Sequence, residues 1–200
     1  MTYFFGATLE RHAVVVADRR IVWSGAAETY TDDRVKIRRL NRSTFMVAAG
    51  LGVFNDGPLL RAMRETVGAK PLDVGEAPVH FASVPGRVVR EHAATMRRVV
   101  RTLEESGTDA TRVAENIPSF LLAGIDRHGE PFVLLFDEMH GYGPFGGGRF
   151  MAVGLPLRGT REKVRAGTLA FQAFGSLMER IKAEKDEGAR LRMVRQGSRT

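Results

Sequence analysis

Apolar positions along this chain follow two periods, one suited to strands and one to helices. Tyr3, Phe4 and Phe5 open with strand-favouring aromatics. A polar break at Leu9-Glu10-Arg11-His12 follows. An uninterrupted apolar run then extends from Ala13 to Ala17 and stops at Asp18-Arg19-Arg20. A short apolar run between charged residues is the pattern of a buried strand. The first eighteen residues therefore predict a hairpin that returns Asp18 towards Thr2. Further strands are predicted around Arg34-Val35-Lys36-Ile37-Arg38-Arg39-Leu40 and from Phe45 towards Gly50. Two more form a hairpin, 119–126 and 131–137, about Arg127-His128-Gly129-Glu130.

The helical period appears three times. Leu59, Leu60, Met63 and Val67 recur at helical spacing after Asn55 or Asp56, either of which can cap, and Gly68 stops the run. Residues 70–85 contain Pro71, Pro78 and Pro85 and read as a loop with one short turn. A second helix spans 86–105. Its apolar stripe is Val88, His92, Met96, Val99 and Leu103, with Arg87, Arg90, Arg97, Arg98 and Arg101 around the rest. A short helical turn is expected at 110–115. The last helix spans 160–185, with Val164, Phe171, Phe174, Met178 and Ile181 on one face. Residues 150–154 read as a strand, 190–194 as one more, and 196–200 as a polar tail.

Composition narrows the chemistry. The chain has 200 residues, enough for one domain with a full core, and no Cys, so thiolate catalysis, disulfides and Cys-based metal sites are excluded. No apolar run reaches membrane-spanning length and the N-terminus lacks a signal-peptide layout, so a cytoplasmic protein without membrane partners is expected. The net charge is +7, but 30 basic residues are spread among 23 acidic ones without aromatic interleaving, a pattern that does not favour nucleic acid. The Gly146-Gly147-Gly148 segment is not followed by the helix and Lys of a phosphate-binding loop. His92 and His140 have no second ligand at a useful spacing. No metal or cofactor is expected.

Four residues carry candidate chemistry. Thr2 follows the initiator Met, which aminopeptidases remove before a small residue. A free N-terminal Thr holds a hydroxyl nucleophile and, in its own α-amine, a base with a pKa near ~8. A Met-Thr start is also an ordinary one. Lys36 can lower the hydroxyl pKa of Thr2 and stabilise negative charge. Beside Arg34, Arg38 and Arg39 it can equally belong to a solvated basic strand. Asp18 can hold that ammonium, or simply close a strand. Gly50 by itself reads as a strand-to-helix turn that needs glycine.

Taken in order, these blocks resemble the proteasome β subunits and, in Lys36-Ile37-Arg38-Arg39-Leu40, the bacterial proteasome-like peptidases. Ala17-Asp18-Arg19-Arg20 matches the family's Ala-Asp-x-Arg motif at the same spacing from Thr2. The segment ending at Gly50 matches its oxyanion strand, and Gly124-Ile125-Asp126 with Gly129 matches its central hairpin. The gap from Asp18 to Lys36 is slightly longer than usual, which points to a small insertion at 26–33. The resemblance spans residues 2–185 and is weakest after Gly154. There Leu155-Pro156-Leu157 stands where the family carries a Ser, and Lys185-Asp186-Glu187-Gly188 keeps the Asp and Gly of a family motif but not its Ser. Asp186 also reads as a charged helix end.

The resemblance implies a single α+β domain over residues 1–200 with a short tail at 190–200. Its architecture would be a four-layer αββα sandwich of two antiparallel sheets flanked by helices, the N-terminal-nucleophile hydrolase fold. It implies a threonine-type amide hydrolase, a peptidase, with Thr2 as nucleophile, Asp18 and Lys36 in support and the Gly50 N–H as oxyanion donor. It further implies homo-oligomeric rings or helical arrays, a peptide or protein substrate and an ATPase partner. The missing Ser leaves a second expectation: a non-catalytic assembly or regulatory subunit of the same fold.

Overall fold

The computed structural model describes residues 4–17, 21–23, 29–31, 36–49, 58–76, 84–110, 119–137, 145–146 and 161–197. They form an α+β arrangement in which every described strand pairing is antiparallel.

Strands β1 (Phe4–Leu9) and β2 (His12–Ala17) form the predicted hairpin, with Phe4 opposite Ala17 and Leu9 opposite His12. Strands β3 (Ile21–Trp23) and β4 (Thr29–Thr31) pair as a second short hairpin. The main sheet has five strands in the order β5 (Ile37–Arg39), β6 (Thr44–Ala49), β7 (Ser119–Ile125), β8 (Pro131–Phe136) and β9 (Phe145–Gly146). Four described helices accompany them: α1 (Pro58–Val67), α2 (Val84–Glu105), α3 (Arg161–Ala183) and α4 (Glu187–Gly197).

The period-two alternation of β6, β7 and β8 sorts their side chains into two cores. Met46, Ala48, Phe120, Leu122, Phe132, Leu134 and Phe136 join Leu60, Met63 and Val67 of α1 and Val89 and Ala93 of α2. The intervening residues Val47, Leu121, Ala123, Val133 and Leu135 join Phe4, Ala13, Val15 and Ala17 of the first hairpin, together with Ile37. The hairpin alternates in the same way. Phe5, Ala7 and Val14 pack on Phe174, Met178 and Ile181 of α3, where the rings of Phe5 and Phe174 stack at 5.1 Å.

Local chemistry sets the element ends. Gly68 closes α1 at φ 64°, donating its N–H to the Arg64 carbonyl, as a residue without a Cβ does most easily. The turn between β5 and β6 is organised by Asn41. Its Oδ1 accepts from the Ser43 and Thr44 amides, and its Nδ2 donates to the carbonyls of Gly68 and Lys70. The β7–β8 turn depends on Asp126, whose Oδ1 accepts from the His128 and Glu130 amides, with Gly129 at φ 86°. The His128 side chain is exposed there, as expected of a turn tip.

Several expectations are corrected. The strand expected at 190–194 is part of α4, a helix capped by Asp186, whose Oδ1 accepts the Ala189 amide at 2.6 Å. The polar tail is therefore helical through Gly197. Helix α2 starts at Val84, two residues earlier than the periodicity suggested. Pro85 sits in its first turn, where a missing N–H leaves no intrahelical bond unmade. The buried-strand pattern of 13–17 is only half right, because Val14 alone is buried in β2 whereas Phe4 to Thr8 of β1 are all buried. Val99, placed on the buried stripe of α2, is 40% exposed. Ala110 is buried but lies outside any helix. Residues 111–118 and 150–154, and Asn55 and Asp56, lie outside the described residues.

Candidate active site

Two strand ends decide where candidate chemistry can assemble. The first is the open end of the β1–β2 hairpin. Phe4, two residues after Thr2, stands opposite Ala17, the residue before Asp18. The second is one end of the five-stranded sheet. Ile37, the residue after Lys36, stands opposite Val47, and β6 continues to Ala49, the residue before Gly50. Phe4, Ala17, Ile37 and Val47 all belong to the core between hairpin and sheet. Thr2, Asp18 and Gly50 themselves lie outside the described residues.

Lys36 is the one member of the predicted set whose surroundings are described. It is 5% exposed, so the reading of a solvated basic strand is wrong at this position. Lysines are almost never buried without compensation, because an ammonium removed from water must find a partner. Lys36 is not without one. Its neighbours divide by strand alternation. Arg38 is half-buried, with its Nε out of solvent, whereas Arg39 is exposed and donates to the carbonyls of Asn41 and Arg42.

Arg38 is the residue that sequence reasoning missed, since it was grouped with the solvated basic residues. The available signal was the period of two, which puts residues 36 and 38 on one side of an extended segment and 37 and 39 on the other. The second residue with a perturbed environment is His92, half-buried on α2. Burial disfavours its imidazolium and holds its pKa below the usual histidine value. It sits in the layer formed by α1 and α2, on the opposite side of the five-stranded sheet from the hairpin.

Among the described residues no group of three or more His, Cys, Asp or Glu side chains could hold a metal ion, and no helix is long and apolar enough to cross a membrane. Compared with known proteins, the chain matches no family model, and no curated protein matches it.

Proposed function

We propose that this chain is a threonine-type amide hydrolase, a peptidase built as a four-layer αββα sandwich similar to the proteasome β subunits. The observation that carries the proposal is the burial of Lys36 at the end of β5. A buried ammonium is costly unless it is paired or hydrogen-bonded, and Lys36 has a partner. The hairpin pairing supports the same reading. Thr2 comes two residues before Phe4 in the sequence and Asp18 one after Ala17, and Phe4 pairs with Ala17 at the open end of the hairpin.

Once Met1 is removed, the Thr2 hydroxyl attacks the substrate carbonyl and its own α-amine takes the proton. The C–O bond forms and the amide C–N bond breaks. The proton leaves with the departing amine, and water then cleaves the ester. Lys36 lowers the hydroxyl pKa, Asp18 keeps the ammonium oriented and charged, and the Gly50 N–H donates to the oxyanion. The substrate class is a peptide or protein, the compartment the cytoplasm, and the assembly a homo-oligomeric ring or helical array that an ATPase could serve.

The test is Thr2→Ala against a panel of peptide and amide substrates, after intact mass has shown that Met1 is absent from the wild type. Hydrolysis abolished in the variant supports the proposal, and unchanged hydrolysis overturns it. The second reading, a non-catalytic subunit of the same fold, is favoured by the departures after Gly154. Leu155 and Pro156 replace the expected Ser, and Asp186 is used as the cap of α4. A wild type inert to covalent inhibitors of N-terminal threonines, yet assembled by light scattering, selects that reading.

A further inference from the structure

Helix α2 is 22 residues long, and its two halves meet different surroundings. In the first half Val89 and Ala93 are buried against the sheet and α1. In the second half Met96, Val99, Val100 and Leu103 continue an apolar line at the i, i+3, i+4, i+7 spacing, yet none of the four is buried. Val99 is the most open of them at 40%. This spacing makes a narrow seam of the kind two helices share side by side.

We propose that the second half of α2 is a self-association seam that pairs antiparallel with the same segment of a second copy. The charges beside the seam select both partner and direction. Arg97 and Glu104 are exposed, seven residues apart, on one flank of the apolar line, and Thr95 and Thr102 lie on the other. An antiparallel copy that sets Met96 against Leu103 also sets each Arg97 against the Glu104 of its mate, so the ion pair forms twice. A parallel copy would place the Arg97 and Glu104 flank against the threonines and form neither. Arg97 already takes part in an interaction within its own chain. Its guanidinium has five donors, so the pairing does not require that interaction to break. Arg87 and Arg98 face away from the seam, and both are exposed. A seam of about two turns buries less than the roughly 800 Å² per partner of a standard interface, so association depends on concentration.

The experiment is light scattering of the full chain over a wide concentration range, with far-UV circular dichroism to confirm that each variant is folded. The wild-type mass rises towards twice that of the smallest species seen at high dilution, whether that is one chain or a ring. Arg97→Glu and Glu104→Arg each abolish the rise, and the double exchange restores it. Val99→Asp, at the seam itself, abolishes it as well. A wild-type mass that stays constant at every concentration, a rise unaffected by these changes, or a double exchange that fails to restore it overturns the proposal. If a folded wild type keeps one mass at every concentration but binds an acidic peptide through Arg97, the seam serves another protein and the self-association is likewise overturned. Thr2→Ala leaves the rise unchanged, so this inference and the peptidase reading fail separately.

Discussion

The two faces of the five-stranded sheet are lined by neighbouring residues of the same strands, yet they differ in size. Towards α1 and α2 the sheet presents Phe120, Phe132, Phe136, Met46, Leu122 and Leu134. Towards the β1–β2 hairpin it presents Val47, Leu121, Ala123, Val133 and Leu135. Phe120 and Phe136, directly opposite one another on β7 and β8, stack with centroids 4.5 Å apart on the helix side. The hairpin side is closer and smaller. Gly6 of β1 has no room for a side chain, because a Cβ there would meet Leu121 Cδ1 at 2.7 Å and Val133 Cγ1 at 2.8 Å. The helix face is filled by bulk, and the hairpin face is set by contact distance. The first mainly governs stability. The second also governs where the hairpin sits along the sheet, and with it how Phe4 and Ala17 meet Ile37 and Val47.

The largest expected effect comes from emptying the helix face. Phe136 is fully buried, and Phe136→Ala removes its stacking partner for Phe120 along with most of its volume. A loss of about 3–5 kcal/mol is expected. Denaturant titration should show a lower midpoint with an unchanged slope. Below that transition the variant should retain the hydrolysis proposed for Thr2, because the hairpin contacts are untouched. Hydrolysis lost from a folded Phe136→Ala protein would show that the two faces are not separable.

Overfilling the hairpin face should have the opposite balance. Gly6→Val forces Leu121 and Val133 aside, at a cost of about 1–3 kcal/mol. The displacement acts on the hairpin itself, so hydrolysis by the folded variant should fall further than the stability loss explains. Parallel measurement of unfolding and hydrolysis at one temperature decides this. A variant with lowered stability and unchanged activity would mean that the hairpin's seat does not control the strand ends.

This contrast also marks what could be read from the chain. The β7–β8 hairpin was legible to within a residue, because Gly129 and Asp126 fix the turn and the apolar runs on either side are uninterrupted. The C-terminal end of α1 was legible for a similar reason, since Gly68 is a local signal. Burial was less so. The run Ala13 to Ala17 is as apolar as any in the chain, yet β2 is half-exposed, because burial depends on neighbours that a local pattern does not contain. Residues 190–194 illustrate the same limit. Arg190 to Val194 carry no strong period, and the cap that commits them to a helix is Asp186, four residues earlier. Asp186 was read as a helix end, but of the preceding helix. At the candidate site, the identity of Lys36 was legible, whereas its burial was not, because three arginines nearby made solvation the simpler expectation.

The smallest expected effect tests whether the helix layer is as closed at α2 as it is beneath Phe136. His92 lies on the same layer, half-buried, with its pKa lowered by burial. The unfolded chain therefore binds more protons than the folded one between the depressed folded value and the ordinary value of about 6.5. This contribution to stability is complete above the ordinary value. It is lost as pH falls through the folded value, where the imidazole must either charge inside the layer or favour unfolding. Melting temperatures at pH 7.5 and pH 5.5 should thus differ more for the wild type than for His92→Gln, which cannot titrate. Because His92 is only partly covered, the narrowing should be modest. An unchanged gap in His92→Gln would mean that water reaches this part of α2 freely, and that the closed layer ends before the helix's midpoint.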